Sequence, residues 1–147
     1  MLLAVTAGVA QAAGEFAYAV ENDYTFYFRP ISATEVAIIH PSEYDANLGP
    51  YVGSFDWDMP ETVTHDGVTY TITTVAEGAF RNATVRGSNQ YTNMFWFPGS
   101  ITTYEADAFD NWTCNIVGLY GTTLDPRHSA TTKSTVSVAL LRVIPSP

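Results

Sequence analysis

A chain of 147 residues can hold one domain with a real core, and a composition 46% hydrophobic and 14% charged is that of a globular protein rather than a disordered one. The formal net charge of −9 is spread unevenly, because every acidic residue lies at or before Asp125 while Arg127, Lys133 and Arg142 follow it. This balance argues against a phosphate-binding surface, and so against nucleic acid as a partner.

Residues 1–13 form a small-residue apolar run ending in Ala10-Gln11-Ala12, the small-x-small pattern of a signal-peptidase site. The run is too short to span a bilayer and lacks a basic start. The expectation is a clipped signal peptide and a secreted or cell-surface mature chain beginning near Ala13, with an apolar helix as the alternative. No cysteine near Ala13 offers a lipid anchor, and the single Cys114 has no internal disulfide partner.

Residues 16–20, 24–28 and 35–39 alternate or run apolar between turn-forming segments at 21–23 and 30–33, which predicts an antiparallel meander. Residues 42–53 read as loop. In residues 54–59 the alternation sets Phe55, Trp57 and Met59 on one face and Asp56 and Asp58 on the other.

Residues 59–111 state one pattern twice. Met59-Pro60-x-x-Val63-Thr64 superimposes on Phe97-Pro98-x-x-Ile101-Thr102. Ile72-x-x-Val75-x-x-x-Ala79-Phe80-x-Asn82 superimposes on Ile101-x-x-Tyr104-x-x-x-Ala108-Phe109-x-Asn111. The second copy lacks the middle of the first, residues 65–70, where Asp66-Gly67 between Thr- and Val-rich flanks signals a hairpin. Proline ends each apolar run by removing an N–H from the ladder. A short extended piece should follow, then about one helical turn over 77–82 and over 105–111. Ala79-Phe80 and Ala108-Phe109 would drop a small and a large side chain between neighbouring units.

Pro-x-x-Val/Ile-Thr followed by Val-x-x-x-Ala-Phe resembles the BspA-like leucine-rich repeats of bacterial surface and secreted proteins, and residues 68–73 look like the hairpin that often opens their arrays. The resemblance covers residues 51–112. It departs at Ala83 and Trp112, where the family often has cysteine, and in the leucine that usually precedes each strand. It implies a mainly β fold with short helical turns: a short leucine-rich-repeat solenoid over residues 54–147, preceded by a β meander or cap over 14–53. Repeat positions would be Pro60, Ile72, Val75, Ala79, Phe80, Pro98, Ile101, Tyr104, Ala108 and Phe109.

Beyond Phe80, residues 91–97 read as the second unit's strand and 114–121 as a possible third. Residues 122–134 read as an exposed polar loop, and 135–145 as a strand ending in proline, an apparently incomplete last repeat.

Residues that could carry chemistry are scattered. His40, His65 and His128 lie in separate regions without metal-ligand spacing, and Asp56, Asp58 and Glu61 lack the glycine and terminal glutamate of a calcium loop. Glu77 and Glu105 occupy matching repeat positions, which suits a structural role better than an acid and base with different tasks. Asn82-Ala83-Thr84 and Asn111-Trp112-Thr113 match the glycosylation sequon, but both use the repeat's own asparagine. No catalytic set, cofactor or metal is expected.

Aromatic residues make up 14% of the chain, and Trp57, Tyr91, Trp96 and Trp112 are the candidate binding anchors. The expected function is a non-catalytic exported protein that binds a protein, matrix or glycan ligand, as the resemblance implies for adhesion. The alternative is a carbohydrate-binding β-sandwich module.

Overall fold

The computed structural model describes residues 14–20, 24–55, 59–87, 95–113 and 117–118. The leader at 1–13, Asp56, Trp57, Asp58, Tyr91, Cys114, His128 and the strand expected at 135–145 lie outside the described residues.

The expected meander forms. β1 (Phe16–Ala19), β2 (Thr25–Pro30) and β3 (Glu35–Ile38) pair antiparallel in sequence. Phe26 and Phe28 are fully buried, while Thr25, Tyr27 and Arg29, which alternate with them, are half-buried, the period of two of a strand with one face inward. A single turn of helix, α1 (Pro41–Tyr44), follows, then β4 (Val52–Phe55). β5 (Thr62–His65) and β6 (Val68–Val75) make the predicted hairpin. Asp66 and Gly67 at its tip both take positive φ, 49° and 78°, as a twist-matched two-residue turn requires. β7 (Thr84–Gly87), β8 (Phe95–Trp96), β9 (Thr103–Tyr104) and β10 (Val117–Gly118) complete the described elements.

The strands assemble differently from the solenoid with a cap. β3 lies parallel to β6 and hydrogen-bonds to it, so the meander and the first repeat strand belong to one six-stranded mixed sheet of order β1-β2-β3-β6-β5, with β9 also paired to β6. The sheet curls until its outer strands meet. Phe16 of β1 stacks on His65 of β5 with ring centroids 4.2 Å apart, and it also touches Tyr70 of β6 at 5.8 Å. The result is a nearly closed, barrel-like sheet, and the solenoid expectation is overturned. The spliced hairpin is the physical reason. It supplies β5, which pairs with residues 68–71 of β6 and carries the His65 that Phe16 reaches, while β3 takes the opposite edge over residues 71–75 and β9 pairs at 74–75. The boundary drawn between residues 53 and 54 runs through β4, which pairs parallel with β7.

Helical turns at 77–82 and 105–111 are also corrected. These segments are successive tight turns, and among the described residues α1 alone is helical. Within them the repeat alignment holds bond by bond. Ala79 N–H donates to Ala76 C=O, Arg81 to Gly78 and Ala83 to Phe80, and Ala108, Asp110 and Trp112 donate likewise to Glu105, Asp107 and Phe109. The left-handed positions match too: Gly78 with Asp107 and Asn82 with Asn111. The two turns lie side by side, with Phe80 N–H donating to Ala108 C=O and Asn82 N–H to Asp110 C=O.

The core fills the sheet interior and continues under these turns. Ile72, Val75, Ala79, Phe80, Ile101, Tyr104 and Ala108 are buried in it with Phe26, Phe28 and Ile38. Pro98 is buried and Pro60 half-buried. Phe80 makes an edge contact with Phe97 at 5.4 Å and packs on Trp112 at 5.2 Å. Phe109 is half-buried and stacks on Trp112 at 5.0 Å.

Candidate functional site

The outward face of β2 and β3 is not bare. Tyr27 packs there against a small cluster of Ala37, Ile39 and Ala76. α1 lies beside it, its first turn capped by His40, whose Nδ1 accepts the Ser42 N–H at 3.2 Å and lies 2.7 Å from the Ser42 hydroxyl. That Ser42–His40 pair has the look of a nucleophile and base, but the cap already uses the ring nitrogen a base would need. Burial lowers the His40 imidazole pKa below its ordinary value, an effect to which the Arg81 charge adds and which the Arg81 backbone and Glu43 oppose. Arg29 of β2 donates to Glu43 of α1 at 2.6 Å, and the Tyr44 ring lies 5.0 Å from that of Tyr27.

Tyr51 closes the inner wall. Ile39 N–H donates to Tyr27 C=O directly at 3.0 Å. The reciprocal rung passes through the Tyr51 hydroxyl, which accepts from Tyr27 N–H at 3.0 Å and donates to Ile39 C=O at 2.7 Å. Its ring packs on Phe26 and Phe80 at 5.3 and 5.1 Å, and burial pushes its hydroxyl pKa well up. Burial also raises Tyr24. Gly53, at φ 135°, lets the chain pass that ring: a Cβ here would meet Tyr24 at 3.2 Å.

Between these walls runs an open groove of about 360 Å³. Tyr24, Thr25 and Tyr27 line one side; Pro41, the Leu48-Gly49-Pro50 loop, Tyr51 and Val52 line the other. Val52 is 67% exposed and Tyr44 46%, large apolar surface for a rim. The lining carries no ionisable group other than tyrosine.

Of the sequence anchors, Trp112 lies away from the groove. Trp112 is 1% exposed and belongs to the core. Trp96 lies on β8, opposite Gly118 of β10. Trp57 and Tyr91 are outside the described residues. The two glutamates read as matching repeat positions are joined through one carboxylate only: Glu105 Oε2 accepts the Glu77 backbone N–H at 2.8 Å. Glu61 is exposed, His65 is half-buried in the sheet seam, and among the described residues no three His, Cys, Asp or Glu side chains gather as a metal set. Asn82 and Asn111 are both exposed, and Asn111 Nδ2 donates to Asn82 Oδ1 at 2.7 Å. Sequence reading missed the groove. Its available signal was the interleaving of Tyr44, Pro50 and Tyr51 in the segment read as loop, with Pro41 just ahead of it.

No family model matches this sequence, and no curated protein or solved structure matches it. Among the described residues, no helix is long and apolar enough to cross a membrane.

Proposed function

We propose that this chain is a non-catalytic binding module of an exported or surface protein, and that the tyrosine- and proline-lined groove between β2, α1 and β4 is where it engages a protein partner. The observation that carries this reading is the groove itself. Half-exposed aromatic and apolar side chains stand on a floor fixed by the Tyr51 hydroxyl, the pairing of rigidity and desolvatable surface that interface anchors have. A sugar ligand calls for carboxylate and amide side chains to meet its hydroxyls, and the lining offers tyrosine and threonine instead. The likeness of the paired Ala-Phe turns to BspA-like repeats supports a role outside the cell.

An array of matrix proteins and glycans probed with the whole chain tests the reading. Retention by a protein ligand, lost in both Tyr44→Ala and Val52→Asp, is the expected result. Binding indifferent to both substitutions would remove the groove, and turnover of any ligand would remove the non-catalytic assignment.

A further inference from the structure

We propose that Asn82 is the attachment point of an N-linked glycan and that Asn111, which stands in the same sequon, is not. This rests on the exported half of the proposed function, because such glycans are added to chains entering a secretory compartment. The turns account for both asparagines, which take left-handed positions within them. They do not account for the threonines two residues on. Thr84 opens β7 and Thr113 follows the outer turn, and among the described residues neither hydroxyl makes a hydrogen bond. A hydroxyl at that place is what defines the acceptor sequence of an oligosaccharide-transferring enzyme.

The fold separates the two sites. Both asparagines are exposed, but their amides are used differently: Asn111 Nδ2 donates to Asn82 Oδ1 at 2.7 Å, whereas Asn82 Nδ2 has no hydrogen-bond partner among the described residues. A sugar on Asn82 Nδ2 leaves Oδ1 accepting, so the pair between the turns survives. A sugar on Asn111 Nδ2 takes one of its two hydrogens and sets a ring against the paired amide. The middle residues differ as well. Ala83 is small, while Trp112 is buried, stacked on Phe109 at 5.0 Å and packed on Phe80 at 5.2 Å. An enzyme that holds the sequon as an open segment draws an indole out of the core at Asn111 and only a methyl group at Asn82. In the transfer, Nδ2 bonds to C1 of the first sugar of a polyprenyl-diphosphate-linked oligosaccharide. The bond from C1 to the phosphate oxygen breaks, the diphosphate leaves with its electron pair, and one amide proton is released. Nothing is oxidised or reduced.

The test is cell-free synthesis of the full chain with microsomal membranes, in one form with its own residues 1–13 leading and in a second with a cleavable secretory signal ahead of them. Protease protection reports entry, and gel mobility before and after a glycosyl-asparagine amidase reports glycans. One glycan is expected on the unaltered chain and on Asn111→Gln, and none on Asn82→Gln. Thr84→Val keeps Asn82 and a β-branched side chain, and it should abolish the glycan as completely as Asn82→Gln does. Because the readout is taken on the entering chain, a variant that folds poorly is still scored. A glycan added only behind the secretory signal would count against export by residues 1–13 and leave Asn82 standing as the acceptor. No glycan on the protected, unaltered chain, or a glycan on Asn111 that survives Asn82→Gln, would overturn the inference and leave the protein-binding groove untouched.

Discussion

The Tyr51 hydroxyl accepts the backbone N–H of Tyr27 at 3.0 Å and so completes a rung that β2 and β3 do not complete directly. A side chain from a distant loop is thereby built into the ladder, and it fixes the Leu48-Gly49-Pro50 loop against the sheet. Tyr51→Phe keeps the ring and removes the relay, leaving a buried N–H and C=O to close on each other or stay unpaired. The expected cost is about 1–3 kcal/mol in urea unfolding, with faster hydrogen exchange at the Tyr27 amide. A change below about 0.5 kcal/mol with unchanged exchange would mean that the strands close unaided.

Stability should fall toward both ends of the pH scale, for opposite reasons. His40 is held below its ordinary 6.5 chiefly by burial, so the folded chain takes up its proton less readily than the unfolded chain. Its contribution is complete above 6.5 and is lost as pH falls through the lower folded value. At the alkaline end, burial raises Tyr24, Tyr51 and Tyr104 above their ordinary 10.0. The unfolded chain therefore loses those protons first, and stability declines as pH rises past 10.0. Urea midpoints measured across pH check this. His40→Asn keeps a capping acceptor and should flatten the acid limb; an unchanged acid limb would assign that limb to other groups.

Phe80 and Phe109 hold the same place in their turns but not the same burial. Phe80 is 0% exposed beneath Tyr51 and against Phe97, whereas Phe109 is half-buried on the outer turn. Phe80→Ala should cost about 3–5 kcal/mol and Phe109→Ala about 1.5–3 kcal/mol, measured by chemical denaturation. Equal costs would mean that the outer turn is covered as fully as the inner one in solution.

What could be read from the sequence follows the range of the interactions. β1 to β3 show in local alternation, and the hairpin shows in Asp66-Gly67, because neighbours in sequence set both. The paired turns show because Ala-Phe-x-Asn recurs after the same offsets, and each turn is closed by bonds within a few residues. The barrel-like closure does not show. It depends on β3 choosing the edge of β6 and on Phe16 reaching His65, and no local pattern specifies either. The groove was hidden for the same reason: its floor requires Tyr51 to find Tyr27 across 24 residues. The tryptophans drew attention through composition, yet large aromatic rings serve a core as readily as a surface, and Trp112 serves the core.

Asn82 and Asn111 couple the two turns through both backbone and side chain. Each sits at positive φ, 56° and 51°, a region that asparagine tolerates and alanine does not. Their amides join at 2.7 Å, 29 residues apart in sequence. Asn82→Ala loses both features and should cost about 1–2 kcal/mol. Asn82→Gly keeps the backbone freedom and loses the amide, so it should cost less. The same order is expected at Asn111. A double-mutant cycle with glycine at both positions isolates the side-chain bond, which is exposed and should contribute about 0.5 kcal/mol of coupling. Urea unfolding of the two single variants and the double variant measures it. If alanine and glycine cost the same at Asn82, backbone conformation is not what selects asparagine there. If the glycine cycle shows no coupling, the amide pair contributes nothing, and the turns are held together by their backbone bonds, the Glu105 contact to the Glu77 N–H and the aromatic stack instead.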